Sequence, residues 1–194
     1  MPIAPITRGE IGTIVTLLEM NARPALRAMP ASELRLKRWV LPTAEKYRQL
    51  FRRVGEPWLW FSRLELTDAE LIGVIQRPVT QIFAVEDKTG IEVGMLEIAH
   101  PEPDWCSLDF IGLIPELSGK GHGKWLMAQA MALAWRPGVK QVRVHTCTLD
   151  HPGALSFYVR EGFSAVDRAI ETFPDPRLTG LLPRHAAPQI PLIT

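Results

Sequence analysis

Between Ser118 and Lys124 the chain reads Ser-Gly-Lys-Gly-His-Gly-Lys, with glycines at 119, 121 and 123 and lysines at 120 and 124. A residue without a Cβ lets a ligand approach the backbone closely and lets N–H groups turn inward. A helical pattern begins at Lys124, and the N-terminus of a helix adds partial positive charge to the two ammonium groups. The chemistry such a segment could do is to hold a pyrophosphate. Two better-known cradles fail on spacing. A P-loop requires Ser or Thr after its Gly-Lys pair, and here Trp125 follows Gly123-Lys124. The dinucleotide fingerprint requires glycine where Lys124 stands.

The segment resembles the signature of the GNAT acetyltransferase superfamily, Gln/Arg-x-x-Gly-x-Gly/Ala behind a strand and a Pro-Glu. Here Gly112-Leu113-Ile114-Pro115-Glu116-Leu117 precedes it, Gly121 and Gly123 match, and Ser118 replaces Gln or Arg. A second similarity lies downstream, where Ala154-Leu155-Ser156-Phe157-Tyr158-Val159-Arg160-Glu161-Gly162-Phe163 looks like Ala-x-x-hydrophobic-Tyr-x-x-x-Gly-Phe. Three residues before that alanine the family often has Asn, and this chain has His151 after Asp150. The likeness runs from about Gln81 to Phe173.

The resemblance implies an acetyl-coenzyme A-dependent N-acetyltransferase, with the cofactor as cosubstrate. It implies that Ser118, Gly119, Lys120, Gly121, His122, Gly123 and Lys124 cradle the pyrophosphate, with Asp150, His151 and Ser156 contributing from the second motif. It further implies that the strand through Ile111, Gly112 and Leu113 splays from its neighbour and pairs with the pantetheine arm. Gly112 suits a bulge there. Tyr158 falls at the position of the general acid that protonates the leaving thiolate. An ammonium has no lone pair, so the acceptor also needs a base, and Asp109, Glu97 or a water chain could serve. Ser107 and Asp109 share a strand face if alternation holds. In related proteins the segment before the central hairpin forms the acceptor side. One of Trp58, Trp60 or Phe61 is therefore expected to line the acceptor pocket, although core packing is the ordinary role of such a cluster. His145 and Cys147 are two apart on one strand, a spacing that does not set a nucleophile–base hydrogen bond, so Cys147 reads as a buried thiol. A non-catalytic acetyl-CoA-binding module, or an acyltransferase with another acyl donor, stays open as an alternative.

These residues need a sheet to position them. Ile11–Met20 reads as a strand. Ala31–Val54, with Pro42 inside it, predicts two helices. Thr67 and Glu70 predict a capped helix over Ala69–Gln76. Gln81–Glu86 and Glu92–Ala99 flank Asp87-Lys88-Thr89-Gly90 as a hairpin, and Trp105–Leu113 is a third strand. Lys124–Trp135 is a helix, Val139–Thr148 a strand, Pro152–Arg160 a helix and Ser164–Phe173 the last strand. The proline-rich Leu182–Thr194 is expected to wrap the surface or fray. The fold predicted is α/β (α+β) and GNAT-like. It is one domain over 1–194, with a mixed, mostly antiparallel sheet splayed at the cofactor cleft and flanked by helices. Within it, 1–80 supplies the acceptor side, 81–173 the cofactor core and 174–194 the tail.

Composition narrows the partners. A net charge of +1 leaves no basic surplus for nucleic acid. Two cysteines are too few for a disulfide framework and show no metal-ligand spacing. No signal peptide or membrane span is read. The expectation is a cytoplasmic, metal-free protein, with an amine acceptor as partner, no nucleic acid or membrane partner, and a homodimer allowed.

Overall fold

The computed structural model describes residues 3–25 and 28–194. Among these, seven strands form one sheet in the order β2-β3-β4-β5-β6-β1-β7. The strands are β1 Glu10–Met20, β2 Arg35–Trp39, β3 Thr80–Glu86, β4 Glu92–Glu102, β5 Trp105–Leu113, β6 Gln141–Cys147 and β7 Ser164–Pro174. Four α-helices flank it: α1 Ala44–Gly55, α2 Asp68–Ile75, α3 His122–Ala134 and α4 Ala154–Arg160. Every pairing is antiparallel except β5–β6. Parallel neighbours need a crossover, and α3 supplies it.

The predicted hairpin, capped helix and later elements are present. Thr67 accepts from Glu70 N–H while Glu70 accepts from Thr67 N–H, a complete capping box on α2. The stretch 31–54 differs from expectation, because its first part is strand β2 on the edge beside β3. Leu34 and Leu36 pack into one core while Arg35 and Lys37 face solvent, which is a period of two rather than of a helix. Only the part beyond Pro42 is helical, started by Thr43, which caps Lys46 N–H.

β1 lies between β6 and β7, with Leu18 opposite Val144 and Ile14 opposite Ile170.

The sheet separates two cores. On one face α3 and α4 cover Leu18, Leu108, Val142 and Val144 with Leu126, Ala130 and Tyr158. On the other, α1 and α2 cover Ile82 and Met95 with Tyr47, Phe51 and Leu71. The C-terminal segment belongs to this second core and does not fray: Leu182, Ala186 and Ala187 are buried. Arg177, itself buried, pairs with Asp175 at 2.7 Å and donates to the carbonyls of Ala186, Ala187 and Ile190. Proline-rich composition signalled a lack of regular structure; it carried no sign of this internal clamp. No helix among the described residues is long and apolar enough to cross a membrane.

Candidate functional site

The β5–β6 ladder starts at Trp105–Gln141 and ends at Leu108–Val144. Both strands run on, β5 to Leu113 and β6 to Cys147. Over 109–113 the β6-facing backbone edge of β5 therefore has no strand partner, and a wedge opens between the two. This is the splay that the resemblance implied.

The bulge is not at Gly112. Gly112 is in register with Met95, and the irregularity lies where Glu97 pairs with Phe110 and Ile98 with Leu108, leaving Asp109 over. A bulge puts two consecutive side chains on nearly the same side. Leu108, Ile111 and Leu113 accordingly pack on the α3 side, whereas Phe110 packs on the α1 side and Asp109 joins a groove on that same face. Gly112 serves close packing instead. A Cβ there would lie 2.9 Å from Val54 Cγ1 and 3.1 Å from the Trp60 ring.

Beside the wedge, on the α3 face, lies the glycine loop. Ser118 follows a short 3-10 turn over Pro115–Leu117, and Gly121 is the N-cap of α3. Gly119 and Gly121 have φ of +74° and +83°, a region favouring glycine. A Cβ at either would meet nothing within 4 Å, and at Gly123 only the Phe157 ring tip at 4.0 Å. The space over this backbone is thus open, bounded across the wedge by α4. His122 is tied by its Nδ1 to Ser32 Oγ at 2.9 Å, which pins the start of α3. Lys120 and Lys124 are exposed. An open concavity of backbone N–H groups, a helix N-terminus and two free lysines fits a pyrophosphate.

The residues of the second motif divide. Tyr158 is buried against Phe157 and Phe163, and burial, helped by the charge of Asp150, pushes its phenol well above the usual value. Asp150 spends its carboxylate on the protein. Oδ2 accepts from Thr146 Oγ1 at 2.7 Å and Cys147 N–H at 2.9 Å, and Oδ1 accepts from Trp60 Nε1 at 3.1 Å. His151 accepts from Gly153 N–H through Nδ1 and meets Trp58 edge to face at 5.3 Å. Ser156 donates to the Gly153 carbonyl and accepts from Arg160.

The aromatic run 57–61 folds over the α1 side of the wedge. Trp60 packs on Phe110 at 5.2 Å and on Phe51 at 5.7 Å, and its bond to Asp150 carries it across to the exit of β6. Phe61 turns away onto Phe173.

Of the two candidate carboxylates, Glu97 is fully buried and occupied. Tyr47 Oη donates to it, and Arg63 pairs with it at 2.7 Å while lying 5.1 Å over Phe110. Burial nonetheless holds its carboxyl above the ordinary range, opposed by Arg63. Asp109 is half-buried and lines a shallow groove with Ser107, Leu17, Glu19, Arg143 and His145. His145 escaped sequence reasoning as a site residue in its own right. Only its place one step beyond the last ladder pair singles it out, and a pairing register is not written in a local pattern. Cys147 is half-buried, and burial raises its thiol, as does Cys106, pushed up to about 12.

A family model described as the acetyltransferase (GNAT) family matches residues 36–163. No curated protein matches the sequence. Among solved structures, a GCN5-related N-acetyltransferase from Sphaerobacter thermophilus superposes with a TM-score of 0.63 at 15% identity, over 83% of this chain and 51% of that one. The chain thus spans about half the length of that protein. An aminoglycoside acetyltransferase from an uncultured soil metagenomic sample gives 0.56 at 19% identity, over 72% and 93%. A GNAT family acetyltransferase from Elizabethkingia anophelis, with acetyl-CoA bound, gives 0.53 at 12%, over 71% and 80%. At these identities the likeness is one of fold.

Proposed function

The chain belongs to the GNAT acetyltransferase family, and on that footing we propose that it transfers an acetyl group from acetyl-CoA to an amine by direct attack, with no covalent intermediate on the protein. The observation that carries this reading is the end of the β5–β6 ladder at Leu108–Val144, directly beside the open glycine loop. A phosphate-bearing thioester fits such a pair of features. Its pyrophosphate has the backbone of Gly119–Gly123 with Lys120 and Lys124, and its amide-bearing arm has the unpaired edge of β5.

The rest of the chemistry follows from that placement. A backbone N–H near Leu113 at the unpaired edge suits the oxygen that becomes negative when the carbonyl is attacked. Tyr158, at the general-acid position of the second motif, supplies a proton to the leaving sulfur; burial keeps the phenol protonated until then, at the cost of making it a weaker acid. The acceptor approaches from the α1 face, past Trp60 and Phe110, toward Asp109. Asp109 suits that side better than Glu97, whose carboxylate is already engaged by Tyr47 and Arg63.

The test is release of free thiol from acetyl-CoA in the presence of a broad amine panel, with calorimetric binding of acetyl-CoA measured in parallel. Turnover with at least one amine and saturable cofactor binding are expected. Binding without turnover of any amine would leave a binding module, and the absence of binding would remove the cradle altogether.

A further inference from the structure

Asp109 and His145 are the first residues past the last β5–β6 pair, one on each strand, so they stand on either side of the apex of the wedge. Both line the same groove on the α1 face. Asp109 reaches it by alternation from the inward-facing Leu108, as His145 does from Val144, while the bulge sends Phe110 to the same face. Their neighbours are engaged: Arg143 pairs with Glu19 at 3.5 Å and lies 4.5 Å over Trp105. Among the described residues neither the Asp109 carboxylate nor the His145 ring has a hydrogen-bond or ion-pair partner. A half-buried carboxylate on a groove keeps an oxygen open to water or to a ligand. Here it faces an imidazole across the gap where the scissile thioester would lie.

The geometry points to His145 as the base that takes the first proton from the acceptor amine, with Asp109 holding the ammonium form opposite it and steadying the imidazolium that results. The inference rests on the acyl-transfer reading above. The protons balance as follows. The ammonium gives one proton to a ring nitrogen of His145. The freed lone pair bonds to the acyl carbon, and the C–S bond breaks with its electrons left on sulfur. The sulfur takes the Tyr158 proton, and the nitrogen's second proton restores the phenol. One amide, one thiol and one proton are formed. His145, exposed on its strand, passes that proton to water. An imidazole can both accept and release a proton, which suits it to this exchange.

Other charges face the pair. On β6 it is Arg143, on β1 Glu19, on β7 Asp167 opposite Leu17, and beyond Phe110 the Arg63–Glu97 pair. Arg143 and Glu19 pair with each other, which leaves Asp109 and Asp167 as the carboxylates without an ion-pair partner on this side among the described residues.

Two measurements test the role. His145→Ala should lower kcat/KM about a hundredfold, recover in part with added imidazole, and keep the parental acetyl-CoA affinity by calorimetry. Asp109→Asn should raise the KM for the acceptor amine more than it lowers kcat, with acetyl-CoA affinity retained. A parental rate for His145→Ala from about pH 5 to about pH 9 overturns the base role alone, and an acceptor KM indifferent to Asp109→Asn overturns the part given to Asp109. A wild-type protein that acetylates no amine overturns the acyl-transfer reading, and the base role with it.

Discussion

The indole N–H of Trp60 donates to Asp150 at 3.1 Å, joining the loop after α1 to the exit of β6 across the open wedge. The same carboxylate holds Thr146 and the Cys147 N–H, so one side chain sets both the end of β6 and the wall above the cleft. Asp150→Ala should cost about 3 kcal/mol, as expected when bonds to a charged acceptor are lost and the buried Thr146 hydroxyl is orphaned. Trp60→Phe, which removes one bond and keeps the ring on Phe110, should cost roughly half that. Urea unfolding midpoints check both. A loss below ~0.5 kcal/mol in Asp150→Ala would show that the bridge is not structural.

Gly123 lies in the first turn of α3, outside the positive-φ region, with room for a methyl group. Alanine is a better helix former than glycine by up to about 1 kcal/mol. Gly123→Ala should therefore melt no lower than the parent and keep its acetyl-CoA affinity, since the signature admits Ala at this position, whereas the larger side chain of Gly123→Val should project into the cradle and weaken binding. Unchanged affinity of a folded Gly123→Val protein in calorimetry would place the pyrophosphate elsewhere.

Tyr158→Phe removes a hydroxyl that has no hydrogen-bond partner among the described residues, so thermal stability should hold or rise slightly. The rate should fall about a hundredfold with acetyl-CoA affinity retained. Parental kcat with chemistry shown to be rate-limiting would make Tyr158 a packing residue only.

Glu97 gives a pH signature. Its folded carboxyl lies above the ordinary glutamate value near ~4.3, chiefly through burial. In the window from that ordinary value upward the folded state binds more protons than the unfolded chain, so stability falls as pH rises through it. Glu97→Gln should flatten that slope. Unfolding midpoints of parent and variant at several pH values between about 4 and 7 would test it, and parallel curves would refute it.

Arg177→Met leaves Asp175 charged and buried without its partner, and frees the carbonyls of Ala186, Ala187 and Ile190. Breaking one side of a buried pair costs about 3–5 kcal/mol. The segment 182–194 should become the first site of limited proteolysis. Parental resistance would show that apolar contacts of Leu182 and Ala186 suffice to hold it.

The residues that read best in the sequence were those whose chemistry is local. The glycine loop, the Thr67–Glu70 capping box and the Asp87–Gly90 hairpin each carry their reason within a few positions. What was hidden depends on partners far along the chain. The bulge at Asp109 exists because β4 and β5 slip by one residue, and the glycine at 112, which looked apt for it, answers instead to Val54 and Trp60. β2 lies in the stretch Ala31–Val54, whose mixture of Leu, Trp, Tyr and Phe with Arg, Lys and Glu reads as helical when taken whole, and its pairing with β3 decides otherwise. Asp150 showed its place beside the second motif but not that Trp60 and Thr146 would claim its oxygens.

β1 leaves the ribosome before the strands it pairs with, yet Met20 pairs with Val142 and Glu10 with Pro174, both far downstream of it. Its apolar residues Ile14, Leu17 and Leu18 must wait, unpaired, while everything between is synthesised. Long-range pairings of this kind raise contact order and slow folding. The sheet can close only when β6 and β7 arrive, so nascent chains ending before β6 should hold β1 as an exposed apolar strand, open to chaperones and to aggregation.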